Sequence, residues 1–255
     1  MSLVRYEVDG AVATITLDRP PVNALNAELI ADLDAAIAEA EAPDVRAVVV
    51  TGSPHFAAGA DITGFQEAFE KGADERQSAG LLSVIGRLEA LEKPTIAAVV
   101  GFALGGGLEL AMGCDFRYLG DGAKVGQPEI RLGLIPGAGG TQRLPRIVGY
   151  QRGKELCMSG RHVPADEALA IGLADVVVPD DEVLERAKAD AARYAAGPTR
   201  AYAAIKRAIR RGYDLPLDEA LSVEAEAFGE VFATEDARIG VAAFLAKERP
   251  DFVGH

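Results

Sequence analysis

The amino-acid sequence predicts a mixed α/β fold that ends in a set of helices. Apolar segments of strand length alternate with helical segments up to about residue 195, and a rhythm of two strands and one helix recurs three times before residue 120. From Asp181 to Lys247 the pattern is almost wholly helical. These helices carry too few large apolar residues for a core of their own. We therefore expect a core, 1–195, and a C-terminal helical region, 196–255, that packs on the core or on a neighbouring subunit.

The N-terminal part of the chain begins with a predicted hairpin. Segments 3–8 and 11–17 alternate in polarity, and Asp9-Gly10 between them is a typical two-residue hairpin turn. Asn26 is a good N-cap for an Ala-, Leu- and Ile-rich helix that runs to about Ala40. The next predicted elements are a buried strand at 46–51, a helical segment at 64–91 weakened by Gly72 and Gly80, and an apolar strand at 95–100.

The middle of the chain alternates glycine-rich segments with short strands. Gly107–Gly113 has helical composition, which places Gly105 and Gly106 at a helix N-terminus, where backbone N–H groups are free and the helix dipole is positive. Glu109 then lies in the first turn of that helix. The remaining elements are predicted as strands at 115–119, 124–126 and 175–179, helices at 141–148, 151–159 and 165–171, and a helical tail with breaks at 197–198, 212–216 and near 234.

Composition and charge limit the classes of function. The chain has 255 residues, of which 49% are hydrophobic and 25% charged, as is ordinary for a globular protein. A formal net charge of −13 argues against a nucleic-acid partner, because affinity for phosphate backbones depends on Lys and Arg. Cys114 and Cys157 lack CxxC spacing and nearby histidines, and no spacing of His, Asp and Glu resembles a metal site. We expect two buried thiols and no metal.

We expect a cytoplasmic protein without membrane association. The first residues pass directly into strand-like sequence, with no basic segment and apolar leader before it. No apolar stretch reaches the ~18 residues needed to span a bilayer. The last residues, Phe-Val-Gly-His, do not match a peroxisomal Ser-Lys-Leu signal.

Two glutamates on separate glycine-rich segments are the best candidates for chemistry. Glu109 ends Gly-Phe-Ala-Leu-Gly-Gly-Gly-Leu-Glu (101–109), and Glu129 lies in Gly-Gln-Pro-Glu-Ile (126–130). Glycines let backbone N–H groups approach a ligand closely. A carboxylate beside such donors can move protons while the donors hold developing negative charge. A third segment, 55–62, follows a strand and is placed to supply a second donor, so the three segments predict a site that polarises a carbonyl and moves protons beside it.

The same segments, in their order along the chain, resemble the crotonase (enoyl-CoA hydratase/isomerase) superfamily over nearly the whole length. One glycine cluster would be weak support, but several at these separations make chance improbable. The resemblance is closest to 2-enoyl-CoA hydratases and implies a spiral of repeated ββα units with C-terminal helices that form a trimer, often a dimer of trimers. The matching motifs are Asp18-Arg-Pro, Asn23-Ala-Leu-Asn, Phe56-Ala-Ala-Gly-Ala-Asp-Ile, Gly101-Phe-Ala-Leu-Gly-Gly-Gly-Leu-Glu-Leu-Ala, Gly126-Gln-Pro-Glu-Ile and Gly133-Leu-Ile-Pro-Gly-Ala-Gly-Gly-Thr-Gln-Arg-Leu.

The resemblance also implies the ligand and the residues that bind it. The ligand is an acyl-CoA thioester, and coenzyme A enters only as part of the substrate, with no further cofactor. Backbone N–H groups of Ala60 and Gly106 would bind the thioester oxygen, and Gly137 would lie near the catalytic water. Phe244 and Lys247 would reach the adenine and phosphates of CoA, commonly across a subunit boundary. The remaining implied substrate contacts are Ala58, Asp61 and Ile62.

Glutamates at both positions favour a hydro-lyase that hydrates a trans-2-enoyl-CoA to a 3-hydroxyacyl-CoA. Adding water across the C2–C3 bond needs two proton transfers at adjacent carbons. By family analogy, Glu109 handles the water and Glu129 the C2 proton, although a concerted addition shares these roles. The alternative is Δ3,Δ2-enoyl-CoA isomerisation or another crotonase-type reaction, for which one glutamate suffices. An RNA-binding or non-catalytic homologue would need a basic stripe or lost carboxylates.

Some residues keep two interpretations. Asp61 either caps the helix that follows it or orients the donor loop. One basic cluster either balances acidic neighbours or contacts the CoA phosphates, and it consists of Lys206, Arg207, Arg210 and Arg211. One apolar cluster either shapes the acyl pocket or forms the core side of a helix, and it consists of Phe65, Phe69, Leu81 and Leu82.

Overall fold

The computed structural model of the protein describes residues 2–64 and 76–255. Its main sheet has six strands: β1 (Val4–Asp9), β2 (Val12–Leu17), β3 (Ala47–Gly52), β4 (Thr95–Val99), β6 (Phe116–Gly120) and β9 (Val176–Val178). They are ordered β1-β2-β3-β4-β6-β9. β1 and β2 pair antiparallel, and the other neighbours pair parallel. β2, β3 and β4 are buried along their whole length, as expected for strands covered on both faces.

A second, three-stranded sheet lies beside the first. Its strands, β5 (Phe102–Leu104), β7 (Lys124–Gly126) and β8 (Val163–Pro164), are ordered β5-β7-β8. β5 and β7 run parallel with Ala103 opposite Val125, and Ala57 forms a parallel bridge to Ala103 on the other side. Three parallel segments therefore lie side by side, and the chain leaves all three at the same edge.

Ten helices are described within 2–64 and 76–255. They are α1 (Ala27–Glu39), α2 (Arg76–Ala90), α3 (Gly106–Met112), α4 (Gly140–Val148), α5 (Tyr150–Ser159), α6 (Ala165–Ala170), α7 (Val183–Ala195), α8 (Thr199–Gly212), α9 (Leu217–Phe232) and α10 (Glu235–Ala246). Short 3-10 turns cover Ile62–Gly64 and Pro128–Leu132. None of the described helices combines the length and the apolar character needed to cross a membrane.

Apolar cores cover both faces of the main sheet. The larger core includes Ile15 and Val50 from the sheet, Leu33 of α1, Leu88 of α2 and Leu110 of α3. On the opposite face, α7 packs its small residues against the sheet; this core includes Val49, Ile96, Tyr118, Val183, Ala187 and Ala191. The small side chains of α7 allow its backbone to approach the strands closely.

Elements that depend on neighbouring residues in the sequence form as predicted. Gly10 adopts a φ of +57° in the turn between β1 and β2, a conformation that costs glycine little. The side chain of Asn26 accepts a hydrogen bond from the backbone N–H of Leu29, which caps α1 as predicted. Two strands were not predicted: β5, which lies inside the glycine-rich segment 101–109, and the two-residue β8.

Arg46 attaches the C-terminal region to the main sheet. Its guanidinium donates to the carbonyl of Gly197 at 2.6 Å, to Oγ1 of Thr199 at 2.9 Å and to the carbonyl of Phe252 at 3.1 Å. One side chain next to β3 thus holds both the start of α8 and the end of the chain. The division into 1–195 and 196–255 stays a prediction, although α7 ends at Ala195 and α8 begins at Thr199.

Candidate active site

The donor loop that follows β3 is held between two neighbouring segments. The backbone N–H of Ala57 donates to the carbonyl of Phe102 at 2.9 Å, and the backbone N–H of Asp61 donates to the carbonyl of Leu25 at 2.9 Å. Leu25 in turn donates to the carbonyl of Gly59 at 2.9 Å. Among the described residues, the N–H of Ala60 has no backbone acceptor. The bonds on either side of Ala60 fix the loop and leave this donor available.

Gly106 places a second free donor next to the first. It is the first residue of α3, and the first N–H groups of a helix have no acceptor within the helix. A Cβ built on Gly106 would lie 3.8 Å from the backbone nitrogen of Ala60, so the two predicted donors are neighbours. The same position would lie 2.9 Å from Cδ2 of Leu81, which is buried beside the site.

Glu109 is buried in the first turn of α3 and reaches the N-terminus of α4. Only 2% of the residue is exposed. Its Oε1 accepts hydrogen bonds from the backbone N–H groups of Ala138 and Gly140, both at 2.7 Å. Burial raises the pKa of Glu109, while the two N–H donors and the nearby Arg143 oppose that rise. One carboxylate oxygen is thereby anchored, and the other has no described hydrogen-bond partner.

Glu129 lies on the turn that follows β7 and faces the start of α3. The N–H of Gly105 donates to the carbonyl of Gly126 at 2.9 Å, which ties the two segments together. Gly105 has a φ of +52°, and a Cβ there would lie 2.8 Å from Oε1 of Glu129. A glycine at 105 therefore allows the carboxylate to lie against the backbone that carries the Gly106 donor.

The surroundings of Glu129 bring the pKa of its carboxyl group close to neutral pH. Burial and the charge of Glu109 raise the pKa of Glu129 to about 7, against a hydrogen bond from its own backbone. The side-chain amide of the fully buried Gln127, oriented to satisfy its surroundings, donates to both carboxylate oxygens at 3.0 and 3.2 Å. The pKa of Cys157 on α5 is raised by burial and then by Glu129 and Glu109. The two glutamates therefore belong to one electrostatic environment.

Asp61 orients the donor loop and also caps a short turn. Its carboxylate accepts from Nη2 of Arg19 at 2.6 Å and from Oγ1 of Thr63 at 2.6 Å. Hydrogen bonds from Thr63, and then from Arg19, lower the pKa of Asp61. These contacts are compatible with both interpretations made from the sequence, and the role of Asp61 stays a prediction. Ile62 beside it is exposed, and Ala58 is half-buried with its N–H on the carbonyl of Val22.

Gly137 lies one residue before the Glu109 anchor. The sequence pointed to Gly137, but the N–H groups that reach Glu109 are those of Ala138 and Gly140. Sequence reasoning missed these two donors and Gln127, although all three lie within the quoted glycine motifs. Spacing along the chain does not reveal Ala138 and Gly140, because they reach Glu109 from a segment about thirty residues away. Gln127 is two residues from Glu129, but their contact depends on the conformation of the turn that joins them.

Phe244 and Lys247 are separate from the two glutamates within one chain. Phe244 is 82% exposed, and α10 packs against α9 and the C-terminal residues. Lys247 ends α10 in the left-handed conformation, with a φ of +59°. These contacts do not connect Phe244 or Lys247 to Glu109 or Glu129. That the two residues reach CoA across a subunit boundary stays a prediction.

Ion pairs within the chain account for most of the basic cluster. Nζ of Lys206 lies 2.8 Å from Asp115 Oδ2, Arg207 pairs with Glu92 and Glu230, and Arg211 pairs with Glu226. These contacts support the interpretation that the cluster balances acidic neighbours. In the apolar cluster, Leu81 is buried and Leu82 is exposed, while Phe65 and Phe69 lie outside the described residues.

Together, these groups define a class of site. Two free backbone donors, the buried carboxyl group of Glu109 and the half-buried one of Glu129 lie on segments that leave the same edge of three parallel segments. This arrangement can hold a developing oxyanion and transfer protons beside it. The chain belongs to the Enoyl-CoA hydratase/isomerase family, whose sequence profile matches residues 7–255. The family predicted from the motifs is confirmed.

Relatives with known names match nearly the whole chain. A short-chain-enoyl-CoA hydratase of Clostridium acetobutylicum is 45% identical over 252 residues, covering 96% of this chain and 95% of the relative. A crotonyl-CoA hydratase of Syntrophomonas wolfei is 43% identical, covering 97% and 96%. The crystal structure of an enoyl-CoA hydratase from Bacillus anthracis superposes with a TM-score of 0.91 at 35% identity, covering 99% of this chain and 100% of that one. The mixed α/β fold and the hydro-lyase class predicted from the sequence agree with these proteins.

Proposed function

We propose that this protein hydrates short-chain trans-2-enoyl-CoA thioesters to 3-hydroxyacyl-CoA by acid–base catalysis with Glu109 and Glu129. One observation carries the proposal: Glu129 lies against the start of α3, where the Gly106 donor adjoins Ala60, and Glu109 is close enough to raise the pKa of Glu129. The names of the relatives in Clostridium and Syntrophomonas support both the reaction and the short chain length.

The thioester oxygen accepts hydrogen bonds from the N–H groups of Ala60 and Gly106. These donors stabilise the enolate oxygen that develops when a nucleophile attacks C3, and each contributes about 3–4 kcal/mol to transition-state stabilisation. Both are backbone groups fixed by neighbouring hydrogen bonds, so they need little reorganisation during the reaction.

The two carboxyl groups divide the proton transfers. Glu109, anchored through Oε1, uses its second oxygen to take a proton from water as the hydroxyl adds to C3. Glu129 delivers a proton to C2, and its pKa of about 7 lets it give up and recover that proton near neutral pH. The product is the 3-hydroxyacyl thioester, and coenzyme A takes part only as the carrier.

The direct test follows the loss of absorbance of the conjugated double bond when crotonyl-CoA is mixed with the protein. We expect rapid hydration that falls with increasing chain length in a graded series of enoyl-CoA thioesters. Double-bond migration in a 3-enoyl-CoA, measured in parallel, should be slower. Migration without hydration would instead assign the protein to the isomerases.

The C-terminal helices provide the surface for the proposed trimer. Phe228 and Phe232 of α9 are 67% and 70% exposed, and their ring centroids lie 5.8 Å apart. Leu217, Phe244 and Leu245 add further exposed apolar area. Patches of this kind on a soluble protein mark association surfaces, and association would bring Phe244 and Lys247 to the CoA of a neighbouring subunit.

Replacing both Phe228 and Phe232 with Glu is expected to dissociate the oligomer, because the charged pair cannot be buried without a large desolvation cost. Light scattering after size exclusion should then report a mass near the 26.7 kDa of one chain. The matched control is Leu169→Glu, an exposed apolar residue of α6 on the main body. A wild-type protein that is already monomeric would exclude the proposed trimer.

A further inference from the structure

We infer that Arg143 is a positioning residue for the Glu109 carboxylate. The inference rests on the proposed function, in which Glu109 handles the water. Arg143 lies in the first turn of α4, and its side chain turns back toward the helix start. Nη1 donates to the carbonyl of Ala138 at 3.0 Å, and Nη2 pairs with Oε2 of Glu89 on α2 at 2.6 Å. The side chain is 17% exposed, so it is held between the two helices.

Arg143 and Glu109 hold Ala138 from opposite sides. The N–H of Ala138 donates to Oε1 of Glu109 at 2.7 Å, while its carbonyl accepts from Nη1 of Arg143 at 3.0 Å. With both its donor and its acceptor engaged, the residue cannot turn without breaking one of the two bonds. Arg143 therefore keeps the N–H of Ala138 directed at the carboxylate, and this fixed orientation is what an acid–base group needs.

The backbone between these groups is adapted to the guanidinium. Gly139 has a φ of +108°, and a Cβ there would lie 2.0 Å from Nη1 of Arg143. Any side chain at 139 would displace the guanidinium from the Ala138 carbonyl. Ala138 and Gly140 present their N–H groups to Glu109 in this backbone conformation. The space beside Gly139 is thus filled by the Arg143 guanidinium and leaves no room for a side chain at 139.

The charge of Arg143 also acts on Glu109. A cation near a helix N-terminus is unfavourable for the helix dipole, so its position here needs compensating anions, which Glu89 and Glu109 provide. The other titratable groups that face Glu109 are Glu129 on the 128–132 turn and Cys157 on α5. Arg143 lowers the pKa of Glu109 against the effect of burial.

The simpler interpretation is that Arg143 only joins α4 to α2 through Glu89. Four variants separate the two roles. Arg143→Gln removes the positive charge, and Arg143→Lys keeps the charge but lacks the planar guanidinium with its paired N–H donors. Glu89→Gln breaks only the ion pair, and Arg146→Gln is the control. Arg146 lies on the same helix, donates to the carbonyl of Gln142 at 3.0 Å and pairs with the exposed Asp214 at 3.4 Å. Each variant is measured for the pH dependence of crotonyl-CoA hydration and for the Glu109 carboxyl pKa by carbon-detected NMR titration.

We expect Arg143→Gln to lower kcat about tenfold with little change in KM, a part of the ~100- to 10,000-fold that a positioned acid–base group contributes. The pKa of Glu109 and the acid limb of the profile should rise, because a neighbouring positive charge is lost. Arg143→Lys should keep the pKa near that of the wild type but still lower kcat. Glu89→Gln, whose amide oxygen can still accept from Nη2 of Arg143, should lower kcat less than Arg143→Gln does. Arg146→Gln should leave both kcat and the Glu109 titration unchanged.

The inference is overturned if Arg143→Gln matches Glu89→Gln, with lower thermal stability but an unchanged kcat and Glu109 titration. If Arg143→Gln fails to fold by circular dichroism, a folded Arg143→Lys with wild-type kcat overturns it equally. Absence of hydration by the wild type would instead sink the proposed function. The NMR titration of Glu109 would still decide the role of Arg143 in that case, because it does not depend on turnover.

Discussion

Replacing Glu129 with Gln is expected to lower kcat for hydration by about two to four orders of magnitude, the contribution of a well-placed acid–base group. Gln keeps the size of the side chain and its neutral hydrogen bonding, but it cannot transfer a proton. The thioester oxygen would still meet the Ala60 and Gly106 donors, so binding of a 3-hydroxyacyl-CoA measured by calorimetry should change little. Steady-state kinetics and calorimetry on the same preparation separate the two effects.

The matched control is Glu155→Gln, an isosteric change at an exposed glutamate of α5 that pairs with Arg161. It should leave kcat and the pH profile unchanged. If Glu129→Gln were as active as this control, Glu129 could not be the proton donor, and a mechanism with Glu109 alone would have to replace the present one.

The same Glu129→Gln change should stabilise the fold at alkaline pH. The carboxyl pKa is raised from 4.5 to about 7 in the folded protein, so the folded state favours the protonated form. That contribution is present in full below pH 4.5 and is lost as the pH rises through about 7. The variant should therefore melt at a higher temperature than the wild type above pH 7 and at nearly the same temperature below 4.5, as scanning calorimetry would report.

Replacing Gly107 with Ala is expected to destabilise the protein by about 3 kcal/mol or more, at or beyond the upper end of overpacking effects in tightly packed interiors. The added Cβ would lie 2.0 Å from the carbonyl oxygen of Ala57 and 2.9 Å from its Cβ. Backbone atoms cannot yield as the end of a flexible side chain can, so α3 and the donor loop must separate. Because Ala60 and Gly106 lie on either side of this contact, hydration should also be lost.

Gly86→Ala is the control for that experiment. Gly86 lies inside α2, and no heavy atom lies within 4 Å of a Cβ built there. Alanine at such a helix position should be neutral or stabilising by up to ~1 kcal/mol. Unfolding in urea, followed by circular dichroism, compares the two variants. A Gly107→Ala protein as stable as the Gly86→Ala protein would mean that the contact with Ala57 is easily relaxed.

The sequence predicts best those features whose causes are local. Asp9-Gly10 specifies its turn, and Asn26 caps α1 through an amide three residues away. β5 was missed because three residues within a glycine-rich segment carry no periodicity, and the strand exists only through its partners Ala57 and Val125.

The candidate site divides in the same way. Glu109 and Glu129 are visible as carboxylates in glycine-rich motifs. The partners of Glu109, Ala138 and Gly140, come from a distant segment. Gln127, the partner of Glu129, is close in sequence, but its burial and the orientation of its amide follow from the fold. A pattern can identify a charged group, but the burial that raises its pKa and the hydrogen bonds that oppose that rise depend on which segments the fold brings together.

The parallel arrangement of Ala57, Ala103 and Val125 sets the spacing between the segments that carry the candidate catalytic groups. Neighbouring strands are separated by about 4.8 Å wherever they pair, so the loop, the helix start and the turn that leave this edge begin at fixed intervals. Exchanging a side chain at 109 or 129 changes which protons move without changing those intervals. An insertion within β5 would displace the start of α3 relative to the loop and the turn. One scaffold can therefore acquire new reactions by substitution more readily than by changes in length.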